Sequence, residues 1–180
     1  TLRMELEIVK EYIALQQMRY DFIIEMNIED GSYLDQPTVR MLFQPLVENA
    51  IRYGLGDDEK ISIQVFEDVA RHFAVVTISD SGKGLNQEEI DEINQPFDYD
   101  WGYWKNENRG IGLRYVKAML ESFYDGQTSL FVNSKKGFGT KITILLPVRE
   151  PEEKKEKDKD KEVTLEENKV GQTDESIDCR

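Results

Sequence analysis

The sequence predicts a two-layer α+β domain: a mixed, mostly antiparallel sheet covered on one face by helices and preceded by a helix arm. Residues 60–67 and 72–79 alternate apolar and polar positions, as do 127–133 and 138–146, and a short polar connection joins each pair, the mark of two hairpins. Segments with helical apolar spacing stand before and between them, at 2–20, around 44–53, at 86–94 and from 110 onward. Glycine-rich stretches at 80–84 and 110–112 fall at the junctions, where a Cβ would obstruct the chain or a ligand.

The first helix places Leu2, Leu6, Val9, Ile13 and Tyr20 at steps of three, four or seven, with Met4, Ile8, Tyr12 and Leu15 widening the face. This pattern fits a solitary core helix as well as a helix of a dimeric bundle. Phe22, Ile24, Met26 and Ile28 alternate as a half-buried strand does, and Asp30-Gly31-Ser32 turns the chain. Pro37 is expected near the start of a helix that runs on into 44–53, with Pro45 bending or restarting it. His72, the only histidine, is placed at the start of the strand over 72–79. No metal-ligand or acid–base partner stands at a recognisable spacing from it, so it reads as a solvated strand residue. Asn86 caps the helix over 86–94, and Glu88 and Glu89 favour its positive end.

Composition excludes several function classes. A net charge of −13 and a pI of about 4.6 set a nucleic-acid partner aside. The single cysteine, Cys179, excludes an internal disulfide and a cysteine-based zinc site, and is compatible with a reducing cytosol. No apolar run reaches the roughly 18 residues that a membrane span needs, and no signal-peptide pattern opens the chain, so the polypeptide is expected to be soluble. It opens at Thr1, within a helical pattern rather than at a methionine, which leads us to expect a fragment of a longer protein. Residues 149–180 are charged and poor in apolar side chains, which predicts a disordered tail.

The most informative stretch is Gln44-Pro45-Leu46-Val47-Glu48-Asn49-Ala50-Ile51-Arg52-Tyr53-Gly54. Leu46, Val47, Ala50 and Ile51 form an apolar stripe; Glu48, Asn49, Arg52 and Tyr53 lie off it. An acid, an amide, a cation and a ring projecting together suit a magnesium nucleotide. Taken alone, however, the stretch is satisfied by a plain helix with a Glu48–Arg52 surface pair and Gly54 as its stop. Asp80-Ser81-Gly82-Lys83-Gly84 follows a predicted strand. A tight turn explains it, but an ionised Asp80 also accepts a hydrogen bond from the exocyclic amine of adenine, where guanine presents a carbonyl. Gly110-Ile111-Gly112-Leu113 opens a helix whose first N–H groups, freed by two glycines, form an anion site. Lys83 lacks the following Ser or Thr of a P-loop, and neither glycine pair continues into a dinucleotide fingerprint.

In this order the three stretches resemble the N box and the two glycine boxes of the ATP-binding domain of sensor histidine kinases, in the GHKL superfamily that includes DNA gyrase and MutL. The resemblance is strongest to the subgroup whose N box reads Gln-Pro-Leu-Val-Glu-Asn-Ala-Ile, unbroken here at 44–51, and it covers about residues 1–147. It implies a Bergerat-type fold binding ATP and Mg²⁺. Asn49 would coordinate Mg²⁺, and Glu48 would orient or deprotonate the histidine acceptor. Arg52 would contact phosphate, Tyr53 would pack on adenine and Asp80 would read it. Gly82 and Gly84 would shape the base site, and Gly110, Ile111, Gly112 and Leu113 would admit the triphosphate. Gly139-Thr140 resembles the last box of the family, with its hydroxyl near the nucleotide, although Thr140 also reads as an in-register strand residue. Tyr53 stands where the subgroup commonly has histidine.

The likeness also divides the chain into residues 1–20, similar to the second helix of a dimerisation hairpin, a catalytic domain at 21–148, and the tail. The first helix of that hairpin, with the phosphoacceptor histidine, is not in this sequence. A response regulator receiver domain as partner, homodimerisation through the full hairpin, and a cytoplasmic portion of a protein anchored in the bacterial membrane are further implications. Gln95-Pro96-Phe97 resembles an aromatic box of these kinases, and the aromatic run Phe97, Tyr99, Trp101, Tyr103 and Trp104 is expected to form a lid over nucleotide rather than a nucleic-acid stacking surface. Two rivals stand beside the kinase reading. One is an ATPase of the same superfamily, with Glu48 activating water; the other is a module that binds nucleotide only to switch a partner.

Overall fold

The computed structural model describes residues 1–56, 59–94 and 111–149. The expected lid, the tail and Gly110 lie outside the described residues. Helix α1 spans Leu2–Gln17 and strand β1 Ile23–Ile28; a short 3-10 turn at Ser32–Asp35 precedes α2, Gln44–Tyr53. β2 (Lys60–Asp68) and β3 (Phe73–Asp80) follow, then α3 (Gln87–Asn94), α4 (Ile111–Phe123), β4 (Ser129–Ser134) and β5 (Thr140–Pro147). The sheet has the order β1-β2-β3-β5-β4, with β1 parallel to β2 and every other pairing antiparallel. Both predicted hairpins are present, and the parallel edge is what makes the sheet mixed.

Register explains how one face becomes the core. Met26, Ile63, Ile78, Ile142 and Val132 form one row across the five strands, and Ile28, Val65, Val76, Ile144 and Leu130 form another. The central members of these rows are buried, together with the helical residues Leu6, Val9, Leu46, Val47, Val116 and Leu120. Because side chains alternate across a strand, a one-residue slip would turn both rows to solvent. On the opposite face stand Gln64, Thr77, Thr143 and Phe131, and Phe131 is exposed. Within the helical layer α2 packs against α1, α4 and β3.

Glu5 fastens α1 to the segment ahead of α2. Its side chain is buried, 5% exposed, and accepts the Leu42 N–H at 3.1 Å. Of the expected apolar face of α1, Leu2, Leu6, Val9 and Ile13 are buried and Tyr12 is half-buried, whereas Met4, Ile8 and Leu15 are exposed. The helix stops at Gln17, which leaves Tyr20 beyond it and exposed.

Three expectations are corrected. No helix starts near Pro37: Gln36 is extended, with φ −64° and ψ 141°, as a residue before proline prefers, and Leu42 gives its N–H to Glu5 instead of to a helical carbonyl. Pro45 neither bends nor restarts a helix, because it lies in the first turn of α2, where a missing N–H is harmless. His72 precedes β3, in the turn after β2, with φ +57°. The capping of α3 is as expected and reciprocal: Asn86 Oδ1 accepts the Glu89 N–H and Glu89 Oε2 accepts the Asn86 N–H, both at 2.9 Å.

Candidate nucleotide-binding site

α2 is held by its apolar side. Leu46, Val47, Ala50 and Ile51 are buried, which leaves Glu48 and Asn49 half-buried at the rim and Arg52 and Tyr53 exposed. The plain-helix reading is correct about one contact, since Arg52 Nη2 lies 2.7 Å from Glu48 Oε1. The two side chains are 61% and 42% exposed, so the pair contributes little to stability and is free to exchange for another anion. The Arg52 guanidinium stands 5.9 Å from the Tyr53 ring centroid and Lys83 Nζ 5.1 Å from it, so two cations from different segments share one aromatic ring.

Gly54 is not a left-handed helix stop; its φ is −101°. Its lack of a side chain is required by space, since a Cβ there would lie 2.5 Å from Asp80 Cγ and 2.6 Å from the Ala50 carbonyl oxygen. A Cβ on Gly82 would in turn strike the Gly54 backbone. The C-terminal end of α2 and the Asp80–Gly84 loop therefore meet glycine against glycine.

Asp80 closes β3. Its Oδ1 accepts the N–H groups of Gly82 and Thr140, each at 3.1 Å, while Oδ2 accepts no bond from the described residues. Burial pushes the carboxyl above its ordinary value, and these two amides partly offset that effect. One oxygen is thus fixed and the other remains available.

The β4–β5 turn braces the same loop. Gly137 N–H donates to the Lys83 carbonyl at 2.7 Å, and Leu85 N–H donates to Ser134 Oγ at 2.8 Å. Gly84 has φ +63° and packs against the Lys135 carbonyl, where a side chain would be both strained and obstructed. Thr140 is the first residue of β5, an in-register strand residue paired with Asp80, and its N–H donates to the Asp80 carboxylate.

At the other end of the site, Ile111 is the first residue of α4, Leu113 is buried, and Gly112 faces Asn49. A Cβ on Gly112 would lie 3.1 Å from Asn49 Nδ2 and 3.7 Å from Pro45 Cβ. The start of α4 therefore abuts the amide that was the candidate metal ligand. Glu48, Asn49, Arg52 and Tyr53 lie on α2, Asp80 ends β3, Gly82 and Gly84 lie in the loop after it, Gly112 lies in the first turn of α4 and Thr140 opens β5. Lys83 and Ser134 were not singled out as site residues from the sequence. Lys83 read only as a failed P-loop lysine, and Ser134 only as the start of a turn.

No group of three His, Cys, Asp or Glu side chains able to hold a metal occurs among the described residues. Asn49 carries a hard amide oxygen of the kind Mg²⁺ accepts and lies beside the start of α4, so the residues present fit that ion. Among the described residues no helix is long and apolar enough to cross a membrane.

The family described as histidine kinase-, DNA gyrase B-, and HSP90-like ATPase matches residues 34–150. Sensor protein kinase HptS of Staphylococcus aureus (strain bovine RF122 / ET3-1) is 30% identical over 148 residues, which make up 82% of this chain and 28% of that protein. The chain thus spans little more than a quarter of this relative. Among solved structures, the histidine kinase domain of the blue-light activated histidine kinase from Erythrobacter litoralis EL346 superposes with a TM-score of 0.55 at 17% identity, over 82% of this chain and 61% of that one. The mycobacterial sensor histidine kinase MprB does so with a TM-score of 0.54 at 19% identity, over 81% and 95% respectively. At those identities the structures support the fold. Since the matched stretch runs from the turn before α2 through the end of β5 and holds the whole candidate site, the chain belongs to the histidine kinase-, DNA gyrase B- and HSP90-like ATPase family.

Proposed function

We propose that this chain binds Mg·ATP and passes the γ-phosphate to a histidine on another segment of a sensor kinase, for relay to a response regulator receiver domain. The observation that carries this reading is that α2 joins two half-sites, with Asp80 seated on Gly54 at one end and Gly112 against Asn49 at the other. Asp80 Oδ2, the oxygen that accepts no bond from the described residues, takes the adenine amine. Tyr53 covers the base, Gly82 and Gly84 let it approach, and Arg52 leaves Glu48 to meet phosphate. The N–H groups at Gly110, Ile111, Gly112 and Leu113 receive the triphosphate. Asn49 holds Mg²⁺, which when bound neutralises phosphate charge. Glu48, once released from Arg52, orients or deprotonates the acceptor imidazole.

His72 is a poor acceptor, since it sits in a sheet turn and not on a helix face that can be docked against the phosphate. The acceptor therefore comes from outside these 180 residues. α1 is read as the second helix of a dimerisation hairpin, consistent with its exposed Met4, Ile8 and Leu15. Residues 21–148 then form the catalytic unit, and 149–180 a tail. The whole kinase is a membrane-anchored homodimer with this part in the cytoplasm. Titration with Mg·ATP, followed by incubation with a separately supplied hairpin bearing the histidine, tests the reading. Phosphate transferred to the hairpin is expected. Free phosphate without transfer would favour a hydrolytic ATPase instead.

A further inference from the structure

Ser134 makes three hydrogen-bond contacts with a single hydroxyl. Its oxygen accepts the Leu85 N–H at 2.8 Å and lies 2.8 Å from the Gly139 carbonyl oxygen and 2.9 Å from Thr140 Oγ1. Only one arrangement of hydrogens makes all three contacts bonds. A carbonyl has no hydrogen to give, so Ser134 must donate to Gly139. Its own hydrogen being used there, Thr140 must donate to Ser134. The reverse choice would leave Ser134 and the Gly139 carbonyl as two acceptors at 2.8 Å.

We infer that Ser134 is a positioning residue for base selection: it takes the hydroxyl hydrogen of Thr140 and leaves that hydroxyl able only to accept. Thr140 is tied by its own N–H to Asp80 Oδ1, which puts two acceptors on register partners of one strand pair, the threonine hydroxyl and Asp80 Oδ2, an oxygen that accepts no bond from the described residues. A ligand edge meeting both must bring hydrogens, either its own or those of a bridging water. The six-position amine of adenine does so, and a purine lacking that amine does not. A freely rotating Thr140 hydroxyl would turn its hydrogen toward such a ligand and relax the discrimination. Ser134 also ties the exit of the Asp80–Gly84 loop to the β4–β5 turn, and these bonds to Leu85 and Gly139 keep its oxygen in place.

This inference rests on the nucleotide-binding reading, and its test separates the two. Kd is measured by calorimetry for ATP and for purine riboside triphosphate, which lacks the amine, with the full chain and with Ser134→Ala, Ser134→Cys, Thr140→Val and the Ser134→Ala/Thr140→Val double variant. Cysteine nearly keeps the serine's shape but hydrogen-bonds weakly, so it gives the same answer if alanine loosens the turn. The ratio of the two constants should fall about threefold to tenfold in both Ser134 variants, the range a single hydrogen bond controls. It should fall no further in the double variant than in Thr140→Val, because serine acts through threonine. Equal weakening of both ligands with an unchanged ratio, or an unchanged ratio in Ser134→Ala beside a lowered one in Thr140→Val, would overturn the inference while leaving the nucleotide site standing. A parent chain that binds neither ligand would overturn both.

Discussion

Thr140 and Asp80 face each other across β5 and β3, and the Thr140 N–H donates to Asp80 Oδ1 at 3.1 Å. A strand pairing thereby aims a carboxylate. Because Gly82 N–H reaches the same oxygen, the side chain is fixed without using the oxygen assigned to the base.

Asp80→Asn should therefore abolish tight ATP binding and leave the fold intact. The amide oxygen still accepts both backbone bonds, but its NH₂ meets the adenine amine donor to donor. Calorimetric titration should show at least a tenfold loss, about the effect of one unpaired buried polar group. Thermal unfolding should show no loss of stability. Unchanged affinity would remove Asp80 from the base site.

The same carboxyl sets a pH dependence. Its folded value lies above the ordinary 3.8 because burial disfavours the charged form. Below the unfolded value Asp80 contributes its full stabilisation as the acid, and this is lost as pH rises through the raised folded value. The ionised form, which burial disfavours, is the one whose two oxygens both accept. ATP affinity should thus decline as pH falls toward the raised value, in a window above 3.8, once titration of ATP itself is subtracted. Affinity that is flat through this window would mean that the ionised form is not what binds.

Gly54→Ala distinguishes space from conformation. With φ at −101° the backbone tolerates alanine, so a glycine with open space around it would gain about 0.4–1 kcal/mol on replacement, through loss of unfolded-state entropy. Its Cβ, however, would lie 2.5 Å from Asp80 Cγ. ATP affinity should drop about tenfold or more as Asp80 is displaced, an amount that one misplaced polar contact can produce. A variant that binds as the parent does would show that the loop yields.

Glu5→Ala tests the anchoring of α1. It removes the acceptor of the buried Leu42 N–H and should lower unfolding stability by about 1–3 kcal/mol, the usual cost of an unpaired buried donor. Denaturant titration measures this directly.

Much of the fold was legible because its signals are periodic. Ile61, Ile63 and Val65 alternate, as do Ile142, Ile144 and Leu146, and both triplets point into the core. What escaped was aperiodic. The segment from Pro37 to Phe43 takes its form from Glu5, a residue 37 positions from Leu42 in sequence, and no local pattern announces such a bond. Gly54 was legible as a glycine but not for its reason, because the clash it avoids is with Asp80, at the end of β3. Asn49 and Asp80 stood out through their motifs. Ser134 did not, since a serine beginning a turn is ordinary until Leu85 and Thr140 are found beside it.

Incubating the chain with γ-labelled ATP, alone and with a separately supplied helical hairpin carrying an acceptor histidine, tests phosphotransfer itself. Positioning provides most of the catalysis in this chemistry, so the chain alone should bind ATP and gain no acid-labile phosphate, and His72→Gln should behave as the parent. With the hairpin present, acid-labile label should appear on the hairpin, and both Asn49→Ala and Glu48→Gln should suppress it, the latter with ATP binding retained. Strong labelling of the chain alone at His72, or release of free phosphate with the hairpin left unlabelled, would contradict transfer to an external histidine.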